Sequence, residues 1–277
     1  MIRPLRWKDG HRFLMAARAG LYLDERTARV SRFRPMEAAT VALFFPDLSP
    51  VLTLADGPGH RFLQVTWPPR EGEARLLFMA PAPAAVDAEA FRPWAEIIEA
   101  IAGWAAAQGI TRLVAEVAAE DLRPALLRQM GFRRVRRYTV WSGPAEVVAE
   151  AFRHIGRGQE RPRASAWALH RGARGAWIEE IRNAAGSPLW DLAHTLADLG
   201  PRWRQPVYVL TRWEHPEIQE ALRALGLQPA FMVWRMVRWV ALPALWAGEE
   251  VETVLPARPA LEFPRIAQGR SRAYPSV

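Results

Sequence analysis

The sequence predicts an α/β fold of two related halves in tandem, each with a mixed, mostly antiparallel sheet flanked by helices. Arg112–Trp141 and Val207–Trp239 share the same order of apolar run, short helix, glycine and second apolar run. The offset that superposes Gly131 on Gly226, 95 residues, also superposes the apolar faces of the two helices. Glycine is favoured directly after a helix, because φ is often positive there. Repeated units in register indicate an internally duplicated fold.

Hydrophobic spacing predicts the elements of the first half. Alternation at Ile2–Arg6 indicates a strand, and helical spacing follows at Trp7–Ala19 and Arg34–Phe45. Turn residues then separate three runs that we interpret as an antiparallel meander. The three runs are Val51–Ala55, Arg61–Trp67 and Ala74–Met79. A long amphipathic helix at Ala88–Gln108 and a strand at Leu113–Val117 are predicted to follow them.

The second half is predicted to be shorter. A hairpin at Ser165–His170 and Ala176–Ile181 precedes a helix that begins at Ser187-Pro188, where a hydroxyl and a proline favour helix initiation. The second repeat unit then completes this half. We therefore predict a domain at 1–143, a connector helix and linker at 144–162, a domain at 163–248 and a Pro/Arg-rich tail at 249–277.

Composition excludes several classes of site. The chain has no cysteine, so disulfides, thiol nucleophiles and thiolate metal sites are ruled out. Its six histidines show no metal-ligand spacing, and we expect no metal. The N-terminus has no apolar signal region, and arginines and a proline interrupt the most apolar stretch, Phe231–Trp246. We expect a cytoplasmic protein that does not interact with membranes.

The formal charge of +8 comes almost wholly from arginine, because Lys8 is the only lysine. The densest basic cluster is Arg133, Arg134, Arg136 and Arg137. Strand alternation places Arg133 and Arg137 on one face and Arg134 and Arg136 on the other, so neither face carries a long basic stripe. We interpret them as solvated strand arginines and do not expect nucleic-acid binding.

The order strand, helix, Met130-Gly131-Phe132, strand resembles the C-terminal half of the GNAT fold, the acyl-CoA N-acyltransferase superfamily. The second copy, with Leu225-Gly226-Leu227, makes the chain resemble a tandem and degenerate member. The resemblance implies transfer of an acyl group from acetyl-CoA or another acyl-CoA to an amine, carried by a small molecule or a protein. The identity of the amine and the oligomeric state stay open.

The resemblance also locates the sites that such an enzyme needs. GNAT enzymes bind the CoA pyrophosphate at a glycine-containing loop before a helix, but Pro81–Ala90 has no glycine. The equivalent loop of the second half offers Asn183, Gly186 and Ser187 as cosubstrate-binding candidates. The family's general-acid tyrosine corresponds to Leu127 in the first half and to Leu222 in the second.

Four glutamates are candidate general bases for deprotonating the amine. Glu116 and Glu120 lie on or just past the first repeat's strand, and Glu179 and Glu180 adjoin in the second half's hairpin. Each also has a simpler interpretation, as a strand charge paired with an arginine. The chain is therefore either an acyltransferase or a catalytically silent GNAT-fold module that binds or regulates a partner.

Overall fold

The computed structural model describes residues 2–31, 34–45, 49–66, 72–83, 88–155, 167–180, 188–212 and 216–240. The predicted loop at Asn183–Ser187, the connector at Gly156–Pro162 and the tail at 249–277 lie outside these residues. The strands are β1 Ile2–Pro4, β2 Leu21–Tyr22, β3 Val51–Asp56, β4 Phe62–Thr66, β5 Glu73–Ala80, β6 Arg112–Ala118, β7 Arg133–Gly143, β8 Trp167–Arg171, β9 Ala176–Glu180, β10 Val207–Arg212 and β11 Gln228–Trp239. The helices are α1 Gly10–Ala17, α2 Glu25–Arg29, α3 Pro35–Phe44, α4 Ala88–Ala107, α5 Arg123–Gln129, α6 Glu146–Ile155, α7 Pro188–Ala197 and α8 Pro216–Ala224.

The strands of the described residues join one mixed sheet in the order β1-β3-β4-β5-β6-β11-β7-β10-β9-β8, and β2 pairs with β5. Two of the described strand pairs are parallel, β5 with β6 and β9 with β10, and each is connected through a helix. The predicted meander is confirmed as β3–β4–β5, and the predicted hairpin as β8–β9. The mixed, mostly antiparallel α/β fold with flanking helices is therefore confirmed.

The first half ends at Gly143 and the second begins at Trp167. The two halves exchange their last strands. Strand β11 of the second half lies between β6 and β7 of the first half. Strand β7 of the first half in turn pairs with β10 of the second. At the centre, Tyr138 pairs with Val233, which lies 95 positions further along the chain, as in the sequence repeat. The halves are thus related by an approximate two-fold arrangement within one sheet.

The glycines that define the repeat end their helices in the same way. Gly131 and Gly226 have φ of 82° and 81°, a conformation that only glycine adopts at little cost. The N–H of Phe132 donates to the carbonyl of Leu127 at 3.0 Å, and that of Leu227 to Leu222 at 2.9 Å. The repeated apolar residues are therefore core positions beneath equivalent turns.

The two faces of the sheet are packed differently. On one face, α4 and α5 cover the first half, while α6, α7 and α8 cover the second with a separate apolar core. On the opposite face, which we call the inner face, Val30 at the end of α2 packs against residues of β7, β9, β10 and β11, including Tyr138, Trp177 and Val233. The short helix α2 thus contacts strands of both halves.

One predicted feature of β7 is wrong. Arg235 pairs with Arg136 and Met236 with Arg134, so a bulge leaves Val135 without an opposing residue. The bulge breaks the side-chain alternation, and Arg134 and Arg137 both lie over the ring of Trp234, at 4.9 and 5.7 Å from its centroid. These two arginines share a face instead of pointing to opposite faces.

Candidate functional site

The parallel strands of the first half stay paired over only part of their length. Glu73–Arg75 of β5 pairs with Arg112–Val114 of β6, and beyond these residues the two strands separate. Such a separation opens a notch between two strands, with unpaired backbone groups on both sides. What fills the notch therefore decides whether a ligand can pair with these backbone groups.

The chain itself fills this notch with Leu21–Asp24. Leu21 and Tyr22 pair antiparallel with Met79 and Phe78 of β5. The N–H of Leu23 then donates to Leu77 at 2.9 Å, and the N–H of Glu116 donates to Leu23 at 3.0 Å. Leu23 and Asp24 are 0% and 1% exposed. We call Leu21–Asp24 the plug segment, because it uses the backbone groups that a ligand between the strands would need.

Arg123 of α5 fixes the plug segment from the side. Its Nη1 donates to the carbonyl of Tyr22 at 2.7 Å, and its Nη2 contacts the carboxylate of Glu25. Glu25 is 2% exposed, and it also accepts a 3.4 Å hydrogen bond from the N–H of Ala118 on β6. The plug segment is thus held by backbone pairing, by burial and by a charge-assisted bond.

A cluster of charged side chains, which includes Asp24 of the plug segment, lies on the inner face. We call Asp24, Arg26, Glu73, Arg75, Glu116, His170, Glu179 and Arg235 the inner charge cluster. Arg75 donates to both oxygens of Glu116, at 3.2 and 3.3 Å. It also lies within 3.4 Å of Asp24 and 3.8 Å of Glu179. One guanidinium with 14% exposure therefore contacts carboxylates from both halves of the chain.

The contact between Arg75 and Glu179 shows that the sheet curls around α2. Four strands separate β5 from β9 in the sheet order. In a flat sheet, strands spaced about 4.8 Å apart would place these two residues more than about 20 Å apart. The observed 3.8 Å means that the inner face closes on itself. The inner charge cluster lies where β5 and β9 approach each other across this curved surface.

Arg235 and His170 complete the cluster from the second half. Arg235 lies opposite Glu116 on the neighbouring strand, with Nη1 3.7 Å from its carboxylate and 3.8 Å from that of Glu179. Its Nη2 donates to Glu73 at 3.0 Å. His170 Nε2 lies 3.2 Å from Arg26 Nη1 and 3.9 Å from Glu179. Because arginine can only donate, Nε2 of His170 is the acceptor and its proton lies on Nδ1.

Burial and the neighbouring charges together set the pKa values of three of these groups. Burial raises the pKa of Glu116, and Arg75 offsets this effect only in part. For Asp24, burial is opposed by Arg26, Arg75 and the N–H of Thr27, which together hold its pKa below the usual value. Burial and the neighbouring Arg26 lower the pKa of His170 to about 4, against a smaller opposing effect of Glu179. His170 is therefore a neutral imidazole at pH 7.

The structure brings two of the four predicted general bases together. Glu116, at 1% exposure, and Glu179, at 14%, both belong to the inner charge cluster. Glu120 is exposed in the turn after β6, and Glu180 is the last residue of β9. The predicted cosubstrate residues Asn183, Gly186 and Ser187 lie outside the described residues. Among the described residues, no group of three or more His, Asp and Glu side chains is placed to hold a metal ion.

Six members of the inner charge cluster were not predicted from the sequence: Asp24, Arg26, Glu73, Arg75, His170 and Arg235. Arg75 and Arg235 carried a usable signal, because each lies within an apolar strand run. A charge at such a position must point outward or be paired. Asp24 had no comparable signal, since the elements around it are only two and five residues long.

The second parallel pair differs from the first. β9 and β10 remain paired from Ala176 and Val207 to Glu179 and Leu210. Among the described residues, no third segment lies between them. The next residue of β10, Thr211, is 0% exposed, and its Oγ1 has no hydrogen-bond partner in the described part of the chain. A buried hydroxyl without a partner costs free energy, so it marks a position that a ligand could satisfy.

No protein-family profile matches the chain, and the comparison with curated proteins returns no match. Solved structures do resemble it. A tandem GNAT protein from the clavulanic acid biosynthesis pathway, solved without acetyl-CoA, shows 14% identity over 88% of this chain and 99% of its own, with a TM-score of 0.48. A GCN5-related N-acetyltransferase from Sphaerobacter thermophilus shows 13% identity over 87% and 95%, with a TM-score of 0.44.

A third similar structure, a GCN5-related N-acetyltransferase from Kribbella flavida, shows 10% identity over 88% of this chain and 73% of its own, with a TM-score of 0.47. At 10–14% identity, these likenesses concern the fold alone. Within the described residues, no helix has both the length and the apolar character needed to cross a membrane.

Proposed function

We propose that the chain is an N-acyltransferase of the GNAT type that binds acyl-CoA at the carboxyl ends of β9 and β10, in the second half only. The observation that carries this proposal is the buried hydroxyl of Thr211. It lies at the end of a parallel strand pair, on the face that α7 and α8 cover. The corresponding apolar position near the end of β6, Val117, offers no polar group and is also fully buried.

The plug segment supports the assignment to one half. Leu23 already pairs with Leu77 and Glu116 in the notch of the first half. Displacing it would break these hydrogen bonds and expose a buried leucine, which costs several kcal/mol, on the order of 2–5 for loss of a buried leucine's packing alone. An acyl-CoA would have to compensate this loss before it gained any affinity. One cosubstrate per chain is therefore expected, bound in the second half.

Glu179 is the base that fits this location. It lies at the last paired position of β9, on the inner face, opposite the face that α7 covers. An amine reaching the thioester from the inner face would transfer its proton to Glu179 as the carbon–nitrogen bond forms and the carbon–sulfur bond breaks. Since Leu222 replaces the family's general-acid tyrosine, the CoA thiolate would take its proton from solvent.

Calorimetric titration with acetyl-CoA tests the proposed site. The native chain is expected to bind one equivalent. Thr211→Val keeps the shape of the side chain but removes the hydroxyl, and it should weaken binding about two- to tenfold, the equivalent of one neutral hydrogen bond. Thr53→Val is the matched control, since Thr53 is a buried strand threonine in the first half that bonds Gln64. It should leave the affinity unchanged. Equal affinities of native and Thr211→Val protein would refute this site.

The second candidate function is a catalytically silent GNAT-fold module. It is favoured by the leucines at both general-acid positions, Leu127 and Leu222, which are fully buried core residues. Acetyl-CoA consumption in the presence of a panel of small amines and lysine peptides separates the two functions. Binding without turnover, unchanged in Glu179→Gln, would support the silent module. Turnover that Glu179→Gln abolishes without loss of binding would support the enzyme.

A further inference from the structure

The first five residues of β7 form an open sheet edge. Arg133–Arg137 pairs with β11 on one side. On the other side, β10 ends at Arg212, which pairs with Tyr138, the next residue of β7. No residue that the structure describes pairs with Arg133–Arg137 on that side. We call this segment the open edge of β7.

The open edge carries four positive charges, those of Arg133, Arg134, Arg136 and Arg137. All five of its residues are exposed, and Val135, at its centre, has 54% of its surface accessible. None of its arginines forms an ion pair with a carboxylate elsewhere in the described residues. Two of them, Arg134 and Arg137, stack over Trp234 and so hold their charges close to the strand. The arginines block a neutral or basic strand from pairing here, but they favour an acidic one.

Exposed backbone groups at a sheet edge are a template for an added strand. A polyanion such as a nucleic acid would use the arginines but not the backbone N–H and C=O groups. An extended acidic peptide would use both. The combination of an unpaired edge with clustered arginines therefore favours a peptide over a nucleic acid.

The chain contains one segment with these properties. Glu249–Leu255 reads EEVETVL, bounded by Gly248 and Pro256. Three glutamates lie within its first four residues, and three of its seven residues are β-branched. β-branched residues favour strands, and glycine and proline often bound them. The segment is thus complementary to the open edge in charge and in backbone preference.

The end of the described chain lies in the right place for this contact. Val237 of β11 pairs with Arg133, so β11 ends at Trp239 beside the start of the open edge. Nine residues, 240–248, separate that end from Glu249. Extended, they span up to about 30 Å. Crossing from β11 to the far side of β7 requires two strand spacings, about 10 Å.

We propose that Glu249–Leu255 adds to the open edge of β7 as a further strand of the sheet, with its glutamates paired to the four arginines. The contact would fasten the C-terminal tail to the junction where the two halves exchange strands. It would also deny the open edge to other chains and to polyanions.

Disulfide trapping tests this contact in the full chain, which has no native cysteine to interfere. Val135→Cys combined with Val251→Cys should form an intramolecular disulfide under mild oxidation at least tenfold faster than the control pair, Val135→Cys with Ser276→Cys. Both pairs place the second cysteine in the same tail. Equal rates, or disulfides that link two chains, would overturn the proposal.

The charge complementarity has its own test. Changing Glu249, Glu250 and Glu252 to glutamine in the trapping variant should slow the Val135–Val251 cross-link at least fivefold. The same glutamine variant should bind a fluorescent single-stranded oligonucleotide more tightly than the native chain does, because the arginines become available. Unchanged cross-linking, or equal oligonucleotide binding by both chains, would overturn the pairing of the glutamates with the arginines.

Discussion

Replacing Arg75 by methionine tests the role of the inner charge cluster in joining the two halves. Arg75 is the only residue within 4.0 Å of Asp24, Glu73, Glu116 and Glu179 together among the described residues. Methionine preserves most of the apolar stem but removes the charge. Glu116, at 1% exposure, then keeps only the longer contact with Arg235. Breaking a buried ion pair in this way costs about 3–5 kcal/mol.

The loss should depend on pH in a definite direction. Arg75 acts to lower the pKa of Glu116, so its removal raises further a pKa that burial already raises. The variant therefore gains stability relative to the native chain as the pH falls and Glu116 takes up a proton. Urea denaturation followed by circular dichroism should show the full loss at pH 7.5 and a smaller one at pH 5.

Arg92→Met is the matched control. Arg92 lies on α4, 83% exposed, and its ion pair with Glu96 spans 3.9 Å in solvent. This change should alter the free energy of unfolding by less than about 0.5 kcal/mol. If Arg75→Met costs less than about 1 kcal/mol at pH 7.5, or if its cost grows as the pH falls, the cluster does not stabilise the fold as inferred.

Two further predictions concern backbone geometry and protonation. Gly131→Ala and Gly226→Ala should each destabilise the chain by about 1 kcal/mol in thermal or urea unfolding, because both have positive φ. Gly131→Ala should cost more, since its Cβ would lie 3.0 Å from Arg238, whereas Gly103→Ala in α4 should stabilise. His170, with its pKa lowered to about 4, should show no imidazole NMR titration between pH 8 and pH 5.5. Because the unfolded chain binds that proton near pH 6.5, His170→Asn should flatten the loss of stability between pH 6.5 and pH 4. A His170 titration midpoint near 6.5 would contradict the burial argument.

Much of the fold could be predicted from local patterns. The long helix α4 and the meander β3–β5 have clear hydrophobic periodicity, and Gly131 and Gly226 mark the ends of their helices. These signals are local, so the sequence alone can carry them. The mixed α/β class and the hairpin β8–β9 follow from them.

The elements that shape the site could not be predicted in this way. β2 and α2 are too short for a periodic pattern, and their positions are decided by contacts with β5 and β6. The insertion of β11 between β6 and β7 is equally non-local. The bulge at Val135 broke the alternation used to assign faces to Arg134 and Arg137. Glu116 and Glu179 were identified as candidates, but the curvature that brings them to one arginine follows only from the three-dimensional structure.

Hydrogen exchange measured with and without acetyl-CoA tests most directly whether the second half alone carries the cosubstrate site. Ligand should slow exchange in peptides covering 176–190 and 207–216, while peptides covering 19–25 and 76–80 should be equally protected in both states because the plug segment already occupies that notch. Ligand-dependent protection at 76–80, with faster exchange at Leu23, would instead place acyl-CoA in the first half and contradict the account.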